Sequence, residues 1–325
     1  MPSTTWRRGA FVAAIGCAVA VSSCSGTPPP RVTSPATSST DGADTSGSTA
    51  PPTVPASSVP TGARPPVTVT KLLVFVMENH SLAQMRRGMP YTYRLATRYG
   101  YASSYVATRH PSLPNYIAIA SGSTHGITTN AAPADNVAVR GPSVFGRALA
   151  AGLTARVYAD AMPGACATEP TGRYAVKHNP WPYFVDERSL CRRDDLPVTA
   201  LEADVAAGSL PNAGMVIPDL CHDAHDCSLG TADAWFRTWM TRIQEGPDWR
   251  AGRLAVVLTA DEDDKSAGNR VLTVVVHPSQ HGTVARNRLD HYSLTRLYAE
   301  VTGTAPLGRG AQAASMTTAF DLPVG

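Results

Sequence analysis

The stretch Lys71-Leu72-Leu73-Val74-Phe75-Val76-Met77-Glu78-Asn79 decides the fold. Its apolar run is of strand length, and a strand without polar alternation has to be covered on both faces. The run stops abruptly at an acid and an amide. Leu254-Ala255-Val256-Val257-Leu258-Thr259-Ala260 repeats the arrangement and stops at Asp261-Glu262-Asp263-Asp264. Further buried-strand patterns lie at 155–159, 213–217 and 271–276, with helical patterns at 91–99, 144–151, 232–243 and 292–301. Alternation of this kind predicts an α/β fold with a mainly parallel central sheet flanked by helices.

Open parallel sheets bind ligands outside the carboxyl ends of their strands. Glu78-Asn79 and Asp261-Glu262 each follow a strand directly, so parallel strands bring them to one edge. Carboxylate and amide oxygens gathered there suit a hard divalent cation such as Mg²⁺, Ca²⁺ or Mn²⁺. Taken singly, a four-acid run is an ordinary solvated loop and an Asn after a strand an ordinary turn former. Three further polar clusters add to the pattern. Asp219, His222, Asp223, His225 and Asp226 crowd the segment after 213–217, Lys177-His178 sits in a loop where both could meet a phosphate, and His291 opens a helix.

Arg109-His110-Pro111-Ser112-Leu113-Pro114-Asn115-Tyr116 puts a serine between two prolines. A proline pushes the residue before it out of the helical region, so His110 and Leu113 are expected extended, with Pro114 opening a short helix. Ser112 then stands just ahead of a helix N-terminus, where free N–H groups favour anions, and Asn115 adds a side-chain donor.

The chain has 325 residues and a net charge of +3, which argues against nucleic acid as a partner. A basic start, a short apolar run and Val21-Ser22-Ser23-Cys24 read as a lipoprotein signal peptide over 1–23, lipidated at Cys24. Residues 24–67, rich in Ser, Thr and Pro, bury too little apolar surface to order and are expected as a disordered tether. Residues 68–325 then form one catalytic domain, extracytoplasmic and either membrane-anchored through the lipid or secreted, with a monomer expected. Cys166, Cys191, Cys221 and Cys227 make an even set in an exported protein and predict two disulfides. The sequential pairing closes the shortest loops, and the other pairings stay open.

Seven ordered segments resemble the bacterial phosphoesterase family, which contains secreted acid phosphatases and phospholipases C. They are Glu78-Asn79-His80-Ser81, His110 to Tyr116, Tyr174 to Trp181, Asp223 to Asp226, Ala232 to Trp235, Thr259 to Asp264 and His291-Tyr292-Ser293. The resemblance is nearest to small secreted acid phosphatases acting on phosphatidylinositol 3-phosphate. It implies an alkaline-phosphatase-like fold, with Ser112 as nucleophile and a divalent cation held by Glu78, Asn79, Ser112, Asp261 and Glu262. It also implies His178, His225, His110 and His291 around the phosphate, beside Lys177 and Asp223. The chain departs from the family pattern at His80, Ala260 and Asp219, where Arg, Trp and Asn are frequent, and these departures bear on substrate contacts and pocket shape.

The expected activity is phosphomonoester hydrolysis through a phosphoserine, with Asn115 assisting the phosphoryl group and a protonated His225 serving the leaving alcohol. A histidine acid fits an acidic optimum. The implied substrate is a phosphate monoester, a phosphoinositide among them. Rival readings are a phospholipase C-type diesterase and a non-catalytic lipid-anchored binder of the same fold. The sequence leaves open the physiological substrate, the metal and the export route, Sec or twin-arginine.

Overall fold

Among the described residues ten strands follow in order. They are β1 (Lys71–Met77), β2 (Gly100–Ala102), β3 (Tyr105–Val106), β4 (Ala155–Ala159), β5 (Asp195–Pro197), β6 (Ala213–Ile217), β7 (Leu254–Ala260), β8 (Thr273–Val276), β9 (Thr283–Ala285) and β10 (Leu289–Asp290). The computed structural model describes residues 67–325. The predicted signal peptide, Cys24 and the tether up to residue 66 lie outside the described residues. Eight strands form one sheet in the order β5-β4-β6-β1-β7-β8-β2-β9, and β3 pairs with β10 separately.

In the large sheet β8 alone runs against its neighbours. β1 is central, parallel to β6 on one side and β7 on the other, and every residue of it but Lys71 is buried. Helices cover the sheet: Phe75 meets the rings of Trp235 and Phe236, from the helix Leu229–Glu245, edge to face. Tyr298, from the helix His291–Thr302, donates its hydroxyl to the Gly214 carbonyl of β6. The α/β fold with a mainly parallel central sheet flanked by helices is therefore the observed one.

The expected helices appear as Pro90–Arg98, Val144–Ala150, Leu229–Glu245 and His291–Thr302. Two local expectations are corrected. The pattern at 271–276 becomes β8 only from Thr273, and antiparallel to β7, because no helix separates the two strands and the chain simply turns back. The helix expected at Pro114 begins two residues earlier, at Ser112, with Pro111 as its cap residue, so Leu113 is helical. Proline costs no hydrogen bond in a first turn. Every residue of Ser112–Ser121 is buried, and Asn130 takes the Leu113 N–H at 3.0 Å; together these outweigh the pre-proline preference. The disulfides are Cys166–Cys191 and Cys221–Cys227, the sequential pairing.

Candidate active site

Register builds the first half of the site. Met77 and Ala260 are paired at the ends of β1 and β7, and the Asp261 amide donates to the Met77 carbonyl at 2.9 Å. Glu78 and Asp261 are thus delivered side by side and both are fully buried. Asn79 turns the chain away at φ 55°, a left-handed conformation that Asn tolerates, and its N–H donates to Asp261 Oδ1 at 3.0 Å.

The helix Ser112–Ser121 brings the second half. Ser112 donates its hydroxyl to Glu78 Oε2 at 3.0 Å, and Tyr116, one turn on, donates to Glu78 Oε1 at 2.6 Å. Asn115 is wholly occupied. Its carbonyl oxygen accepts the N–H groups of Thr108 and Arg109, and its amide donates to the carbonyls of Arg109 and Pro111 and to Glu262 Oε2. It fastens the loop before the serine to the acidic loop after β7, and no donor is left over for a phosphate.

Histidines ring the acids. His178 is buried between Glu78 Oε1, 3.2 Å from Nε2, and Asp223 Oδ2, 3.0 Å from Nδ1, with its ring stacked on Tyr116. His110 lies with Nδ1 3.1 Å from Glu262 Oε1 and Nε2 3.3 Å from Asp263 Oδ1. His225 stands beside His178, its Nε2 3.1 Å from Lys177 Nζ and its Nδ1 2.7 Å from Asp226 Oδ1. An ammonium can only donate, so Nε2 of His225 accepts from Lys177 and Nδ1 carries the proton toward Asp226.

His291 departs from its expected place at the phosphate. Nδ1 faces the Tyr105 hydroxyl at 3.0 Å, and Nε2 lies 2.7 Å from the Asp261 carbonyl, to which it donates. Burial lowers its pKa to about 4, so the ring is neutral and positions the acidic loop. Sequence reasoning missed Tyr116, because a tyrosine within an apolar helix reads as core. Asp219 and His222 also turn elsewhere, toward Asp160 at the end of β4, where Arg173 already pairs with Asp219. That group lies apart from the contacts made by Ser112.

The electrostatics are lopsided. Burial works to raise the Glu78 pKa, but the His178 charge and the Tyr116 hydroxyl outweigh it and hold the carboxylate ionised. Burial likewise works against the His178 imidazolium, and Glu78 and Asp223 overcome it. Asp261 is pushed well above the carboxylate range by burial, then by the charges of Glu78 and Glu262. Burial also raises Glu262, despite His110. Asp261 Oδ2 is buried and has no hydrogen-bond partner among the described residues. The buried oxygens of Glu78, Asp261 and Glu262, one of them orphaned, have the donor chemistry that suits a hard divalent cation.

These elements define an α/β protein with a serine and buried acids at the carboxyl edge of a mainly parallel sheet. More narrowly, the chain belongs to the Phosphoesterase family, whose family model matches residues 75–303. A phosphatidylinositol-3-phosphatase of Mycobacterium tuberculosis is 28% identical over 254 residues, which cover 77% of this chain and 82% of that protein. An acid phosphatase of Aspergillus fumigatus is 27% identical over 225 residues, 64% of this chain, and the match spans only 49% of the fungal protein. Among solved structures, a 2-O GAG sulfatase aligns with TM-score 0.55 at 10% identity, covering 78% of this chain and 75% of that one. The lipoteichoic acid synthase LtaP of Listeria monocytogenes aligns with TM-score 0.51, also at 10% identity, covering 73% of each chain. Both of these are likenesses of fold alone. Family and phosphatase-named relatives together support hydrolysis of phosphate esters.

Proposed function

We propose that the chain is a metal-dependent phosphomonoesterase working through a phosphorylated Ser112. The observation that carries the reading is the Ser112 hydroxyl held on Glu78, inside a buried acid cluster that has an unpaired oxygen. Ser112 Oγ attacks phosphorus as its proton departs toward Glu78, and the bond from phosphorus to the ester oxygen breaks. The leaving oxygen takes a proton from the Lys177–His225 pair, a joint role in place of a lone His225 acid. Water then attacks the phosphoserine, releasing phosphate and restoring the serine hydroxyl. The chemistry a divalent cation supplies when bound is a lowered serine pKa and compensation of charge on the phosphoryl oxygens. His178 stays charged beside Glu78, Tyr116 and Asn115 fix the geometry, and His291 holds the acidic loop.

A phosphoinositide monophosphate is a natural member of the substrate class, given the Mycobacterium relative. The start of the sequence supports export and lipidation at Cys24, which would hold the enzyme outside the cytoplasm at a membrane face. The test is turnover of p-nitrophenyl phosphate against its bis ester, with and without chelator, for the purified chain and for Ser112→Ala. Monoester hydrolysis lost on chelation and in Ser112→Ala is the expected result. Undiminished turnover in Ser112→Ala overturns the nucleophile, and a preference for the bis ester moves the activity to diesters.

A further inference from the structure

Beside the loop that carries Ser112 lies an open cavity of about 460 Å³, walled by Thr108, Arg109, Ser123, Thr124, Tyr292 and Arg309. Its lining is almost wholly polar and basic. Arg109 precedes Ser112 by three residues, and its backbone is tied to Asn115, which also holds Glu262. Tyr292 follows His291, the ring that holds the Asp261 carbonyl. Two of its lining residues, Arg109 and Tyr292, are therefore chain neighbours of residues that build the site.

Arg309 is brought there by a close backbone crossing. The Arg309 N–H donates to the Gly122 carbonyl at 2.8 Å, at the end of the serine helix. Gly122 and Gly308 both have positive φ, and a Cβ on Gly122 would stand 2.1 Å from the Leu307 carbonyl oxygen. Only glycine allows the crossing. The Arg309 guanidinium then lies over the Tyr292 ring, 5.4 Å from its centroid.

Neither guanidinium meets a carboxylate among the described residues. The nearby acids are engaged elsewhere: Glu262 and Asp263 face His110, and Glu300 pairs with Arg296. Two like charges around one hollow are a poor arrangement alone and a good one around an anion. Arginine forks match phosphate oxygens in particular.

We infer that this cavity is an anion subsite that holds a second, non-reacting phosphate of the substrate while the first lies at Ser112. The inference rests on the phosphomonoesterase reading and narrows it to substrates with two anionic groups. The second group is either a phosphomonoester on the same soluble molecule or the phosphodiester of a lipid headgroup, and both offer phosphate oxygens to the arginines.

The test is calorimetric binding to the full-length Ser112→Ala chain, which does not depend on turnover. Fructose 1,6-bisphosphate is compared with fructose 6-phosphate, and glycerophosphoinositol 3-phosphate with inositol 3-phosphate. The second anion is expected to tighten binding about tenfold in at least one pair, and the pair that responds identifies the source. Adding Arg109→Gln and Arg309→Gln should bring both members of that pair to one affinity. Both side chains are exposed, so an unchanged melting temperature shows that the fold is retained. Equal affinities within both pairs, or a preference that survives the double substitution, overturn the subsite. Hydrolysis of fructose 6-phosphate by the unsubstituted chain reads the phosphatase assignment separately. Its absence defeats that assignment, while the affinities still judge the cavity.

Discussion

The two ends of the β1–β7 pair carry charge in opposite ways. At the amino end the Lys71 ammonium lies 2.7 Å from Asp248 Oδ2, Arg253 lies 2.8 Å from Asp248 Oδ1, and the Leu210 N–H donates to the same carboxylate. One buried acid there has two cations and a backbone donor. At the carboxyl end Glu78, Asp261, Glu262 and Asp223 are buried around His178 and His110, and one Asp261 oxygen has nothing. Buried charge without compensation costs several kcal/mol, so a fold keeps it only where something else gains. The amino end is built to be complete. The carboxyl end is built to be completed by a ligand.

The sharpest way to break this contrast is to exchange one acid at each end for its amide. Asp261→Asn should lower turnover of a phosphate monoester at least about a thousandfold, since a group acting within a catalytic unit is worth that much. In chelator the variant should melt no lower than the parent, because an amide replaces a carboxyl that burial already disfavours in its charged form, and no ion pair is broken. A large drop in melting temperature would show that Asp261 is structural. Asp248→Asn should do the reverse. Losing a buried partner of two cations costs about 3 kcal/mol, or roughly 6–12 °C in a domain of this size, while turnover per folded molecule stays as it was.

A divalent cation sharpens the same comparison without touching the fold. Mg²⁺, Mn²⁺ or Ca²⁺ at a hundredfold excess over its dissociation constant should stabilise the chain by about 2.7 kcal/mol, read as a rise in melting temperature that chelator reverses. The rise should persist in Asp248→Asn and vanish in Asp261→Asn. Equal rises in the two variants would place the cation elsewhere, with the Asp160–Asp219–His222 group as the alternative, since its ligand atoms lie within 4.8 Å of one another.

How far the sequence could be read follows the same physics. β1 and β7 were legible because continuous burial leaves an unbroken apolar run. Glu78 and Asp261 were legible because they end those runs. β2, β5 and β9 span three residues each, too few to show any period. Residue type alone also misassigned partners. Asn115 was expected at the phosphate and is spent on the backbone of Arg109 and Pro111, and His291 was expected there and faces a tyrosine and a carbonyl. Their partners come from segments more than a hundred residues away or from a loop whose course no local pattern fixes. Arg309 illustrates the limit: the crossing at Gly122 carries it to the cavity that Arg109 also lines.

Asp195 shows a third way to bury an acid and yields the smallest effect. It opens β5, fully buried, and the Asn179 amide donates to both its oxygens, with no cation paired to it among the described residues. Burial pushes its pKa up to about 8, only partly offset by that amide. At neutral pH the folded chain therefore keeps this carboxyl protonated, whereas the unfolded chain has lost the proton. Between the ordinary carboxylate range and about 8, each rise in pH favours unfolding, so this contribution is greatest in acid and gone above about 8. Asp195→Asn should remove that slope and leave the protein about as stable at pH 5 and a few degrees more stable near pH 8, with the cation response intact. A melting temperature that falls equally with pH in parent and variant would show that Asp195 is ionised in the fold. It would then need a counter-charge, as Asp248 does, and would no longer be an acid that neutralises itself.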